Sequence, residues 1–254
     1  MERREKNGCK RQTLNRMKNL LKITVVVFTV FLANTAGAQK ILVGAGGGFA
    51  TFSMTDTRDY NKWVQNNLPF TPVLTDDFPG WYYFTGEVLW SFPKFLAAGV
   101  KLSTTSTGSR LHLADYSGEY TFDNTQTGWF PGVKLLLGKA PGRNSGLCAS
   151  VDGGLAFSSM FLREELVVGD EVVNDKQTLN ALGFYVQPGL NYLQHVGKNI
   201  IVSANVSYYL GFENGYYAEG DKDMKIKHPE TGENIKPGWN GLRAGIVVYW
   251  GFYR

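Results

Sequence analysis

The chain has 254 residues, 43% of them apolar and 14% aromatic, with 30 glycines and a formal net charge of +4. The excess of positive charge sits in the first 38 residues. Setting aside their eight Lys/Arg and two Asp/Glu from the chain's 26 and 22 leaves 18 basic and 20 acidic residues, near −2, which excludes nucleic-acid binding as a reading of net charge.

Residues 1–38 have the parts of a cleaved signal peptide. A basic stretch to Lys22 is followed by an apolar run, Ile23 to Ala33, and by Ala36-Gly37-Ala38 before Gln39. Met1 and Met17 are both possible starts. Beyond this leader only Cys148 remains, so no disulfide framework forms within residues 39–254. No later apolar run approaches the ~20 residues of a spanning helix. Membrane residence would therefore require strands closed into a barrel, the arrangement that pairs every backbone group in lipid.

Residues 39–254 suit a single domain of strands and tight turns. Strand one, about Lys40 to Met54, carries Gly44, Gly46 and Gly48 on one face, leaving room for bulky side chains from other strands. These glycines have period two with no helix behind them, so a nucleotide loop is excluded. A polar insertion, 55–80, holds one or two helical turns over Arg58 to Leu68. Strands follow at Trp81 to Phe92, Phe95 to Thr107, Thr127 to Gly138, Leu147 to Phe161, Leu179 to Leu193 and Ile200 to Leu210. The last strand, Trp239 to Arg254, puts Leu242, Ala244, Ile246, Val248, Trp250 and Phe252 on one face. Arg243, Gly245 and Tyr249 are on the other.

This predicts an all-β, eight-stranded antiparallel up-and-down transmembrane barrel. Its short periplasmic turns alternate with four long extracellular loops: 55–80, 108–126, 162–178 and 211–238. The rival is a water-soluble eight-stranded cup, whose apolar face would point inward. The leader, the eight alternating strands with their loop asymmetry, and the aromatic final strand resemble the small outer-membrane barrel families. These are the OmpA transmembrane domain, the OmpX class and the outer-membrane β-barrel domain proteins common in Bacteroidetes. In that resemblance Arg243, Gly245, Val248, Trp250 and Phe252 match the C-terminal signal read by the barrel-assembly machinery. It implies residence in the outer membrane of a Gram-negative bacterium, among outer-membrane lipid and lipopolysaccharide. A wall-anchoring role is not implied, since no peptidoglycan-binding domain is matched.

On the inner face Glu87, Lys101, Lys134, Asp152, Gln187 and Asn205 fall at one level, with Arg243 higher. Buried charge must be paired, so the ladder neighbours are expected to neutralise each other, Glu87 with Lys101 and Lys134 with Asp152. The lumen of such a barrel is just wide enough for side chains to fill it. The expected role is structural or surface interaction through the loops, which carry Trp63, Phe70, Tyr116, Tyr120, Tyr216 and Tyr217. The first alternative is a small porin-like channel. The second is a lipid A-modifying enzyme using His112 with Ser109 and Asp115, whereas His195 lies in a turn and His228 deep in the fourth loop. No cofactor is called for. Glu219, Asp221 and Asp223 lack the spacing of a calcium loop, so no metal is expected either.

Overall fold

The computed structural model describes residues 40–92, 96–116, 118–138, 145–169, 171–197, 199–218 and 221–253. The leader at 1–38 and Glu219 lie outside the described residues, as do most of the residues joining the expected strands at 93–94 and 139–146 and the side chains of Asp221 and Asp223.

The elements in order are β1 (Lys40–Ala50), α1 (Thr55–Asn67), β2 (Val73–Asp77), β3 (Trp81–Ser91), β4 (Leu96–Asp115), β5 (Gly118–Gly138), β6 (Ser145–Val168), β7 (Glu171–His195), β8 (Ile200–Glu213), β9 (Tyr217–Ala218), β10 (Asp221–Lys225) and β11 (Gly241–Tyr253). Eight of these strands form an antiparallel ring in the order β7-β6-β5-β4-β3-β1-β11-β8, closed by β8 against β7. The first strand is zipped to the last from Lys40↔Tyr253 to Ala50↔Arg243. Glycine permits close approach here: a Cβ on Gly46 would lie 2.1 Å from the Ile246 carbonyl oxygen, and one on Gly44 would lie 2.4 Å from the Tyr249 ring.

Side chains alternate across every wall strand, and the apolar set points outward. On β11, Leu242, Ile246, Val248, Trp250 and Phe252 are about half exposed while Arg243, Val247 and Tyr249 are buried. The same holds for Phe84 against Glu87 on β3 and for Trp129 and Val133 against Phe130 and Lys134 on β5. A soluble cup would have the reverse arrangement. A belt of exposed leucine, valine and aromatic residues around a polar lumen is the surface of a barrel that spans a bilayer.

Two of the expected loops are strands. Residues 108–126 continue β4 and β5 to a tight turn, with the ladder unbroken to Asp115↔Gly118. Residues 162–178 likewise belong to β6 and β7, which pair up to Val168↔Glu171 around Gly169 at φ 60°. These segments read as loops because, above the lipid, their outer face is polar: Arg110 with Asp123, and Arg163 with Glu165. Their inner face keeps its apolar period with Leu111, Tyr120, Phe122, Met160, Leu162 and Leu179. The insertion at 55–80 holds a full helix, Thr55–Asn67, longer than the one or two turns expected. It also supplies β2, which pairs with β4. Within 211–238, β9 pairs with β7 and β10 with β9.

Candidate functional site

The interior is the natural place to look for a path or a catalytic centre. It consists of layers stacked along the barrel axis. At the end where β1 begins and β11 ends, an apolar layer holds Leu42, Leu89, Leu136, Leu193, Ile201 and Val247. Period-two patterning then brings the charged layer onto the inner face of consecutive strands, at adjacent registers.

Glu87, Lys101, Lys134, Asp152 and Gln187 are all buried there, and Asn205 is partly so. Glu87 faces Lys101 and Lys134 faces Asp152 on the ladders, but the ion pairs are not the expected ones. Lys134 Nζ lies 3.0 Å from both Glu87 carboxylate oxygens. Lys101 Nζ lies 2.5 Å from Asp152 Oδ2. Each pair skips a strand. In a lumen this narrow, side chains converge on the axis, and the lysine's four-carbon stem reaches a partner two strands away as readily as its ladder neighbour. Sequence spacing shows which charges share a level but not how their tips cross. It also left Tyr249 unassigned, whose hydroxyl donates to Glu87 Oε2 at 2.5 Å. Gln187 donates to Ser207, Asn191 to Ser150, and Tyr83 to Asn205. The cavity left among these groups is about 10 Å³, roughly the space of one water.

Above the charges is an aromatic layer of Tyr83, Phe130, Tyr185, Tyr209 and Trp239 with Phe52 and Phe78. Arg243 is buried within it. Its guanidinium carbon is 4.2 Å from the Tyr209 ring centre and 4.8 Å from that of Phe130. The rings stabilise the cation directly, and the carboxyl of Glu213, which accepts from the Tyr209 hydroxyl at 3.1 Å, acts on it at longer range. Met54 and Phe78 both adopt left-handed backbone, φ 45° and 47°, where the chain bends in and out of this layer. Their full burial offsets the cost of that conformation. Of the proposed assembly residues, Gly245 lies beneath the Tyr83 hydroxyl, and Val248, Trp250 and Phe252 face lipid.

The topmost layer is the extracellular core, covered by α1. Thr57 and Asn61, one turn apart, point into the mouth and are fully buried. Asn61 donates to Ser109 Oγ and accepts from Asn124 at 3.3 Å. Gln126 donates to Thr57 at 3.0 Å and accepts from Tyr216 at 2.8 Å. Burial, reinforced by the charge of Glu164, raises the phenol pKa of Tyr60 and Tyr120. Tyr216 is driven well above the usual range by burial and by Glu213.

The residues weighed for lipid A chemistry do not meet. Ser109 and His112 lie on opposite faces of β4: the serine is buried against Asn61, and the histidine is outward, 3.3 Å from Thr121 and 3.8 Å from Glu119. Their spacing of three cannot put both on one side of a strand. Asp115 closes β4 at the hairpin tip, His195 ends β7, and His228 accepts from the Glu230 amide. Among the described residues no group of His, Cys, Asp and Glu is arranged to hold a metal ion.

No protein-family model matches the chain, and no curated protein matches it in sequence. Among solved structures it is similar to a major outer membrane protein from Thermus thermophilus, at 11% identity and TM-score 0.46, over 84% of this chain and 98% of that one. The N-terminal β-barrel domain of Pseudomonas aeruginosa OprF is similar at 14% identity and TM-score 0.30, over 85% and 99%. Ail, the attachment invasion locus protein of Yersinia pestis, is similar at 10% and 0.33, over 84% and 97%.

Proposed function

We propose that the chain is an integral protein of a bacterial outer membrane, non-conducting and non-enzymatic, whose work is done by its extracellular surface. The observation that carries this is the filling of the lumen by described side chains, from Leu42 to the α1 cap, around a water-sized gap at the charged layer. Among the described residues solute finds no path, and the candidate nucleophile has no base. What the molecule offers instead is a four-stranded sheet rising out of the membrane. One side of it is covered by β2. On the other side β8 joins β7 only from Gly183, and β9 only at Leu179 and Asn180. Among the described residues, 171–178 therefore present an unpaired strand edge with Val172 and Val173 exposed. Such an edge is a template for strand addition by a partner. Asp175 and Lys176 on the same stretch limit indiscriminate pairing.

The test has two parts. The folded protein in planar bilayers is expected to give no conductance steps. Displayed on a non-adherent bacterium, it is expected to confer attachment or aggregation that Val172→Pro abolishes, since proline removes a donor from the open side of β7, the side on which Leu182 meets Asn214. Discrete conductance steps, or attachment unchanged by Val172→Pro, would overturn the reading.

A further inference from the structure

On the outer wall, beside the point where β2 gives way to β3, lies a cleft of about 480 Å³, within the roughly 300–1,000 Å³ typical of ligand clefts. Its walls include Asp76, Trp81, Ser106, Arg110, Asp123 and Thr125. It arises from the chain's local path. β3 pairs with β4 up to Thr105, and β2 takes over only at Ser109. Over the interval the chain at Phe78–Pro79 is held by Phe78 N to Gly108 O at 3.0 Å and Thr107 Oγ1 to Pro79 O at 2.9 Å. Gly108, with no side chain, leaves the floor open.

The height of the cleft is set by register. Trp129, the uppermost lipid-facing aromatic of β5, pairs with Thr104, and the cleft spans the pairs Ser106↔Thr127 to Arg110↔Asp123. At ~3.3 Å per residue and a ~40° tilt, that is roughly 5–15 Å above Trp129. This level corresponds to the headgroups of the outer leaflet and the space just above them.

We propose that this cleft takes an uncharged sugar ring. Trp81 is half exposed and held edge-on by Tyr82 at 5.8 Å. It presents a flat apolar face to the C–H side of a pyranose, with a polar rim beside it. Around it stand hydroxyls that give and take hydrogen bonds and carboxylates that take them, as sugar hydroxyls require. Ser106 donates to the Gln126 carbonyl and accepts from Thr127 Oγ1 at 3.3 Å, which leaves its oxygen one further lone pair. Arg110 is a fork already clamped by Asp123, Nε to Oδ1 at 2.6 Å and Nη2 to Oδ2 at 3.1 Å. With Asp76 added, the carboxylates outnumber the guanidinium, so the cleft disfavours phosphate and suits a neutral ring. The sugar could belong to a glycolipid of the same leaflet or to a free glycan from outside. The chemistry is shared, and the membrane level of the site does not separate the two sources. The inference does not depend on the β7 edge.

The experiment uses the full chain carrying 5-fluorotryptophan, folded into phospholipid nanodiscs, with the position-81 resonance assigned by its loss in Trp81→Phe. Dephosphorylated lipopolysaccharide core oligosaccharide is added in solution in one arm. In the other, the nanodiscs contain lipopolysaccharide bearing that core. A saturable shift in either arm, absent with inorganic phosphate and weakened tenfold or more by Thr125→Val with Asp76→Asn, supports the proposal. A shift in the second arm alone assigns the site to membrane glycolipid; a shift in the first admits free glycan. No shift in either arm, an equal shift with phosphate, or undiminished affinity in the double variant overturns it. All three positions face outward, so retained heat-modifiability on gels shows that the barrel has folded.

Discussion

Lys101 stands directly opposite Glu87 on the β3–β4 ladder, yet its ammonium is bound to Asp152, two strands away. Around the ring the charges run negative, positive, positive, negative, and the two ion pairs cross one another inside the lumen. The pairs are consequently one interlocked unit, with Tyr249 as a fifth member.

Lys101→Met is expected to leave Asp152 uncompensated and to destabilise the barrel by about 3–5 kcal/mol. Adding Asp152→Leu should restore most of the loss. Adding Glu87→Gln should not, because Glu87 retains Lys134. Urea unfolding in detergent, followed by heat-modifiability on gels, ranks the three variants. Rescue by Glu87→Gln in place of Asp152→Leu would restore the ladder pairing.

The close contact of β1 with β11 makes Gly46 intolerant of any side chain. Gly46→Ala should cost about 1–3 kcal/mol, as overpacking does, because the obstacle is the Ile246 backbone rather than a movable ring. Gly86→Ala, on neighbouring β3 with open space around it, serves as the control and should be neutral. Comparative melting in the same detergent tests this.

The cap is separable from the wall. Asn61→Ala removes the partner of buried Ser109 and Asn124, a loss of about 1–3 kcal/mol per buried group left unsatisfied. The expected outcome is faster proteolysis within 55–80 with an unchanged barrel melting temperature. A fall in barrel melting of the size seen for Lys101→Met would show that cap and wall unfold together.

Alkaline pH should loosen the same cap. The phenol pKa values of Tyr60, Tyr120 and Tyr216 are raised in the folded protein. The stability they contribute is complete below the unfolded value of about 10 and is lost as pH climbs through the folded values. Absorbance at 295 nm should show tyrosines that resist ionisation until the cap opens, and one fewer of them in Tyr216→Phe. Complete titration near pH 10 without any structural change would contradict the burial.

The strand count, the closed ring and the outward grease were legible because lipid imposes a strict period of two on residues such as Ile246, Val248 and Trp250. The shared level of Glu87, Lys101, Lys134 and Asp152 was legible for the same reason. Two things were not. The partners of those charges depend on side-chain reach across the axis, which no register reveals. The extracellular sheet was hidden because water rather than lipid bathes the outside of Thr121, Asp123 and Thr125, so polar residues alternate with buried ones such as Phe122 and imitate a loop. The period at Leu111, Tyr120, Phe122, Met160 and Leu162 was the signal available for it.

Because β1 is bonded along its length to β11, this cylinder has a seam that cannot close until β11 has been made. Every other hairpin can form from neighbours in sequence, but the seam joins residues two hundred positions apart, the slowest kind of contact to make. Until it closes, two raw edges stand open to any stray strand. Removing the final thirteen residues would leave an unclosed sheet prone to aggregation, rather than a narrower barrel.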